Sequence, residues 1–314
     1  MAKACLCVLL RLDYSIDSRS LRNFPLAEYA AYNFDWHAEF ENVVSYIRDG
    51  IDRLFDAENP HFAAWLWMSR GHRCPSPQRP EALPLYYIVE SGLCGLMQHL
   101  ISRRPQDLNT RADKRWTLLH VAVDNQDVDV SQILLGHRID VDVRDFEDRT
   151  PLHLAAHGGS IEIIRVLIQH GANINIRDKY GQTPLFRALD SIYDTHNDRA
   201  IDRMRFLLEH GADVDARNND GQTPLHRSLT KPIHVSSHED LDIIRILLEH
   251  GADVSAQDVY HTTPLHLANS EVVQILLDHG TIVHIWNSMD ETPFQVASAQ
   301  EVIWLLSEHA QSEG

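Results

Sequence analysis

Two short motifs recur in phase along this chain, and their spacing limits what it can fold into more than any other feature. The first is Thr-Pro-Leu-His, complete at Thr150, Thr223 and Thr263, with variants at Thr117 (TLLH), Thr183 (TPLF) and Thr292 (TPFQ) and a degenerate LPLY at Leu83 to Tyr86. The second is LLEHGADV at 207–214 and 247–254, with LLGHRIDV at 134–141 and LLDHGTIV at 276–283. The motif threonines lie 33 residues apart from Thr117 to Thr150 and from Thr150 to Thr183, then 40, 40 and 29. A unit of that length cannot bury its own apolar stripe, so each copy needs neighbours.

The copy from Arg149 to Asp178 predicts a complete helix–turn–helix. Thr150 and Pro151 start a helix, because the hydroxyl can serve an orphan N–H and Pro at the first helical position has none to lose. His153 stands where its ring can bond back to that cap. Gly158 and Gly159 break this helix, and a second runs from Ile161 to about His170, with Ile164, Leu167 and Ile168 forming one stripe. Gly171 closes it as a left-handed residue, as Gly211 does in its own copy, so Gly211→Val is expected to destabilise more than Gly159→Ala, a β-branched residue being costly in that conformation. Ile174 and Ile176 alternate with polar residues and are read as a short extended finger.

Both motifs in phase resemble the ankyrin repeat, over roughly residues 82–310. The resemblance implies an all-α solenoid of about seven helix–turn–helix repeats with short β-hairpin fingers. It further implies a non-catalytic scaffold that binds a partner protein through its finger tips and concave groove. The tip residues are Asp145, Phe146, Asp148, Lys179, Tyr180, Asn219, Asp220, Val259, Tyr260, His261, Met289 and Asp290. Phe146, Tyr180 and Tyr260 supply aromatic area of the kind that anchors interfaces.

The longer spacings place seven extra residues near 191–199 and seven near 231–239, polar stretches expected to project from the inter-helix edge. The last two repeats lose about four residues, so their turns must be clipped. In the final copy Gln295, Ser307 and Glu308 are read as giving a polar outer face, as a terminal repeat requires.

Before the array, residues 1–20 show no cap and are expected to be poorly ordered, 21–70 read as a small aromatic-rich helical segment, and 71–81 as a Pro-rich linker. The segment PLAEYAA…PHFAAWLW resembles the helical region that precedes the array in fungal NACHT–ankyrin proteins, which are NLR-like STAND NTPases. That resemblance implies an alternative, the sensor or regulatory portion of such an NTPase without its nucleotide-binding domain. No GxxxxGK[ST] motif is present to cradle a phosphate.

With 45 acidic against 28 basic residues the formal charge is −17, which argues against nucleic acid and anionic membranes as partners. Four irregularly placed cysteines give no disulfide framework, and no stretch approaches a membrane span, so a cytoplasmic monomer is expected. Of 20 histidines, ten belong to the two motifs and are assigned to structure. His153 with His157, and His234 with His238, have a metal-compatible spacing but no HExxH context. Cys94 has no basic neighbour to activate it. No catalytic, cofactor or metal site is expected.

Overall fold

The computed structural model describes residues 2–12, 26–38, 48–56, 59–69, 82–195, 199–230, 238–297 and 300–312. The chain divides into two compact units, Met1–Phe146 and Glu147–Gly314.

The first unit opens with α1 (Ala2–Leu9), followed by α2 (Ala27–Ala38), α3 (Arg48–Leu54) and α4 (Pro60–Ser69). Within the N-terminal segment Leu6, Leu9 and Leu12 are buried, and α1 packs against α2 and α3; residues 13–20 lie outside the described residues. The repeats begin with the pair α5 (Pro84–Glu90) and α6 (Cys94–Arg103), then α7 (Leu118–Asp124) and α8 (Val128–Gly136). One apolar core runs from Cys5 to Leu134, so the N-terminal helices and the first repeats share it. Its centre is aromatic. Phe55 meets Trp65 edge-on at 5.2 Å, and Phe62 reaches Tyr87 of α5 at 5.6 Å. Polar ties reinforce the seam: His99 Nε2 lies 2.8 Å from Asp52 Oδ1, and Arg103 Nη2 donates to Asp52 Oδ2 at 2.9 Å. Burial pushes the Asp52 carboxyl up, but these two partners outweigh it and hold it below its ordinary value. The expected linker at 71–81 lies outside the described residues.

The second unit holds five helix pairs among its described residues: α9 (Pro151–Gly158) with α10 (Ile161–Gln169), α11 (Pro184–Thr195) with α12 (Arg199–Glu209), α13 (Pro224–Thr230) with α14 (His238–Glu249), α15 (Pro264–Leu267) with α16 (Ser270–Asp278), and α17 (Pro293–Val296) with α18 (Gln300–Ser312). First helices pack in succession, α9 on α11, α11 on α13, α13 on α15 and α15 on α17. The motif leucines Leu152, Leu185, Leu225 and Leu265 are at most 2% exposed.

The Thr-Pro-Leu-His motif builds a capping box. Nδ1 of His153 accepts the Thr150 N–H at 3.1 Å and its hydroxyl at 2.9 Å, while Nε2 donates to Gln182 O of the next repeat at 3.1 Å. His226 and His266 repeat this, reaching Thr262 O and Glu291 O. One imidazole therefore caps its own helix and ties it to the following finger, which fixes the neutral Nε2–H tautomer. Gln295 keeps the box with an amide, its Oε1 accepting the Thr292 N–H at 2.8 Å.

A buried arginine adds a second tie. Arg203 of α12 is 1% exposed and has no carboxylate in hydrogen-bond contact among the described residues. Its Nε donates to Ala156 O at 3.0 Å, Nη1 to Gly159 O at 3.3 Å, and Nη2 to His157 O at 3.1 Å and Ser191 Oγ at 2.7 Å. Helix α9 thus has its last carbonyls satisfied by a cation from the next repeat, where the helix dipole favours positive charge.

Four expectations need correcting. No strand occurs among the described residues, only one isolated bridge between Arg111 and Thr117, so the fingers are turns rather than β-hairpins. The first insertion begins as a continuation of α11 with Ser191 and Ile192 buried, because Ser191 serves Arg203; the second, at 231–237, lies outside the described residues. The residues lost in the last two repeats come from α15 and α17, each a single turn. Finally, the last repeat is not uniformly polar outside: Gln295 and Glu308 are exposed as expected, but Trp286 is 57%, Phe294 45% and Trp304 58% exposed beside them.

Candidate protein-interaction surface

Each finger of the second unit turns around one Asp or Asn. Asp178 Oδ1 accepts the N–H groups of Tyr180 (2.8 Å) and Gln182 (2.9 Å). Asn218, Asp258 and Asn287 do the same for the amides two and four residues on. A short side chain that satisfies two amides is what lets the chain reverse in so few residues. The position after the tip has positive φ in every finger of this unit, taken by Gly181 (75°) and Gly221 (73°) but also by Asp148 (57°), His261 (57°) and Asp290 (58°).

Neighbouring fingers are joined through backbone. Lys179 N–H donates to Glu147 O, Asn219 N–H to Tyr180 O, Val259 N–H to Asp220 O, and Ser288 N–H to Tyr260 O, at 2.8–3.0 Å. A second tier runs below: Asn175 Oδ1 accepts Asp213 N–H at 2.8 Å, Asp215 Oδ1 accepts Asp253 N–H at 2.9 Å, and Ser255 Oγ accepts Ile282 N–H at 3.1 Å. The tips are therefore presented on a tied frame, without a sheet.

Of the twelve tip residues, Asp145 and Phe146 fall in the first unit and the others in the second. Asp145 is buried, at the turn-forming position that Asp178 occupies one finger later, so its side chain is not offered to a partner. Phe146 is 48%, Tyr180 48%, Val259 56%, Tyr260 61% and Met289 77% exposed. Lys179, Asn219, Asp220, His261 and Asp290 are exposed as well, and Asp148 is half-buried. Tyr180 is partly held locally: Lys179 Nζ sits 4.8 Å from its ring and 2.9 Å from Glu147 Oε1. That bond from Lys179 holds the Glu147 carboxyl below its ordinary value and raises the lysine.

Family comparison is consistent with this geometry. The model for ankyrin repeats (three copies) matches residues 85–178, 140–198, 178–258 and 233–313. The chain is an ankyrin repeat protein. Its fold is similar to that of the ankyrin repeat domain of Bcl-3, described as a unique member of the IkappaB protein family, at 26% identity and a TM-score of 0.62, over 71% of this chain and 97% of that one. It is also similar to the human ASB11 ankyrin repeat domain, at 24% identity and a TM-score of 0.54, over 72% and 97%. No curated protein matches. Ankyrin repeat domains are in general protein-interaction scaffolds and typically non-catalytic.

Eight of the motif histidines of this ankyrin repeat protein, His120, His153, His170, His210, His226, His250, His266 and His279, are committed to its frame. Besides the capping set, His170, His210, His250 and His279 donate Nδ1–H to the carbonyl four residues back, at 2.7–2.9 Å. His153 uses both ring nitrogens, which removes it from any pairing with His157. His234 lies outside the described residues and nothing is described of the His238 side chain. No group of three or more His, Cys, Asp or Glu is placed to hold a metal among the described residues. No helix there is long and apolar enough to cross a membrane.

Proposed function

We propose that this protein is a non-catalytic, monomeric cytoplasmic scaffold that binds a partner protein through the finger edge of its second unit. Tyr260, Val259, Met289 and Tyr180 serve as apolar anchors there, with Lys179, Asn219, Asp220 and His261 as the polar surround; Phe146 offers the same kind of anchor in the first unit. The observation that carries this reading is apolar side chains held exposed on backbone that is hydrogen-bonded from finger to finger. Such a frame loses little further freedom on binding, so more of the contact energy remains as affinity. Four irregularly placed cysteines, which make no disulfide framework in sequence, support the compartment. With a partner isolated by affinity capture, Tyr180→Ala with Tyr260→Ala is expected to weaken binding by at least ~2 kcal/mol while leaving the melting temperature nearly unchanged. Unchanged affinity would place the interface elsewhere.

A second reading is the regulatory portion of a STAND NTPase. The continuous core of the N-terminal helices with the first repeats supports it, since such a segment would transmit force into the array. An in-frame P-loop in the transcript ahead of Met1 is its test.

A further inference from the structure

The apolar end of the last repeat includes none of the twelve tip residues and is not explained by partner binding at them. Phe294 occupies the motif position of Leu152, Leu185, Leu225 and Leu265, all at most 2% exposed, yet it is 45% exposed. In the preceding repeats a first helix lies on a first helix, and α17 is such a helix with its outward side bare. Phe294, Val283, Trp286, Leu306 and Ser307 line a groove of about 630 Å³ between the final finger, α17 and α18.

Charge around this groove departs from that on two earlier second helices, α10 and α14. On α10 and α14 an acidic residue meets an arginine three positions on, Glu162 with Arg165 at 3.8 Å and Asp242 with Arg245 at 3.5 Å. On α18 the same register has Glu301, but Trp304 stands where the arginine would be, 58% exposed, and exposed Glu308 follows four residues later. These three residues share one side of the helix, and Ser307 of the groove is three residues from Trp304. From Ile246 to Gly314 the sequence has ten Asp or Glu and no Lys or Arg.

We propose that this end binds an amphipathic helix of another protein, its apolar face on Phe294, Trp286 and Leu306 and its Lys or Arg residues against Glu301, Glu308 and the Trp304 ring. A helix is the occupant because the exposed side of α17 is a helix-packing side in every earlier repeat of the unit. Its flank is cationic because Glu301 and Glu308 have no Lys or Arg on their own helix, unlike Glu162 and Asp242, and an indole face also attracts ammonium and guanidinium groups. A second copy docked face to face would bring two acidic ends together, which like-charge repulsion opposes.

The test is fluorescence anisotropy of a labelled helical peptide of about five turns with a leucine face and lysine flanks, beside versions with the lysines changed to glutamate or the leucines to serine. The full chain is expected to bind the lysine peptide at least ~10-fold more tightly than either control. Trp286→Ala with Trp304→Ala, which leaves the charge unchanged, should cost at least ~10-fold, and Tyr260→Ala should cost nothing. Glu301→Lys with Glu308→Lys should transfer the preference to the glutamate peptide, with melting curves checking that each variant is folded. Indifference to the tryptophan pair would reduce the effect to bulk charge and overturn the proposal. So would loss of binding in Tyr260→Ala, or a dimer in sedimentation that the tryptophan pair dissociates.

Discussion

At the scale of single residues, the capping histidines couple stability to pH. Burial lowers the pKa of His226 and His266. A histidine depressed in the fold contributes stability that is fully present above its unfolded pKa of about 6.5 and is lost as pH falls through the folded value. Thermal midpoints should therefore drop below about pH 6.5. His226→Gln, which copies the amide that Gln295 uses in the last repeat, should keep the cap and flatten part of that slope; an unchanged slope would mean the imidazole is not the titrating group. The glycines read differently in sequence and in space. Gly211 has the expected left-handed φ of 92°, with open space around a would-be Cβ, so Gly211→Ala costs only the conformation, about 1–2 kcal/mol. Gly159 has an ordinary φ of −80°, but a Cβ there would lie 2.8 Å from Ala155 backbone atoms. Gly159→Ala should destabilise at least as much as Gly211→Ala in urea titrations, reversing the order that conformation alone suggests.

At the scale of elements, what ties one repeat to the next was only partly legible. The helix pairs and their caps could be read from Thr150, Pro151, His153 and Gly171, because a cap is a local arrangement of neighbouring residue types. Arg203 could not, since three of its four partners are carbonyls more than 40 positions away and carbonyls have no sequence signature. Arg203→Met should cost about 3 kcal/mol by leaving the end of α9 unsatisfied, and Arg203→Lys should recover little, as one ammonium cannot span those acceptors. A midpoint within experimental error of the unmodified chain would show that water replaces the guanidinium. The finger tips were legible as positions but not as roles. Asp145 looks like its exposed neighbours in sequence, and only burial assigns it to the turn. The polar reading of the last repeat was incomplete for a similar reason, because Gln295 and Ser307 could be counted without seeing that Trp286 and Phe294 lie open beside them.

At the scale of the whole molecule, a net charge of −17 is a standing repulsion that the few surface ion pairs do not offset. Raising sodium chloride from about 0.05 to 0.5 M shortens the Debye length to a few ångströms and should raise the melting temperature by roughly 2–4 °C. A fall would show that attractive pairs outweigh the repulsion. The finger-to-finger bonds have a different consequence. At the tips they run from backbone amide to backbone carbonyl, and the turns hang on Asp178, Asn218, Asp258 and Asn287, so the side chains at 220, 259, 260 and 289 contribute little to holding the frame. Mutation can rewrite those four positions at little thermodynamic cost, which lets a lineage of such proteins change what it recognises while inheriting its architecture intact.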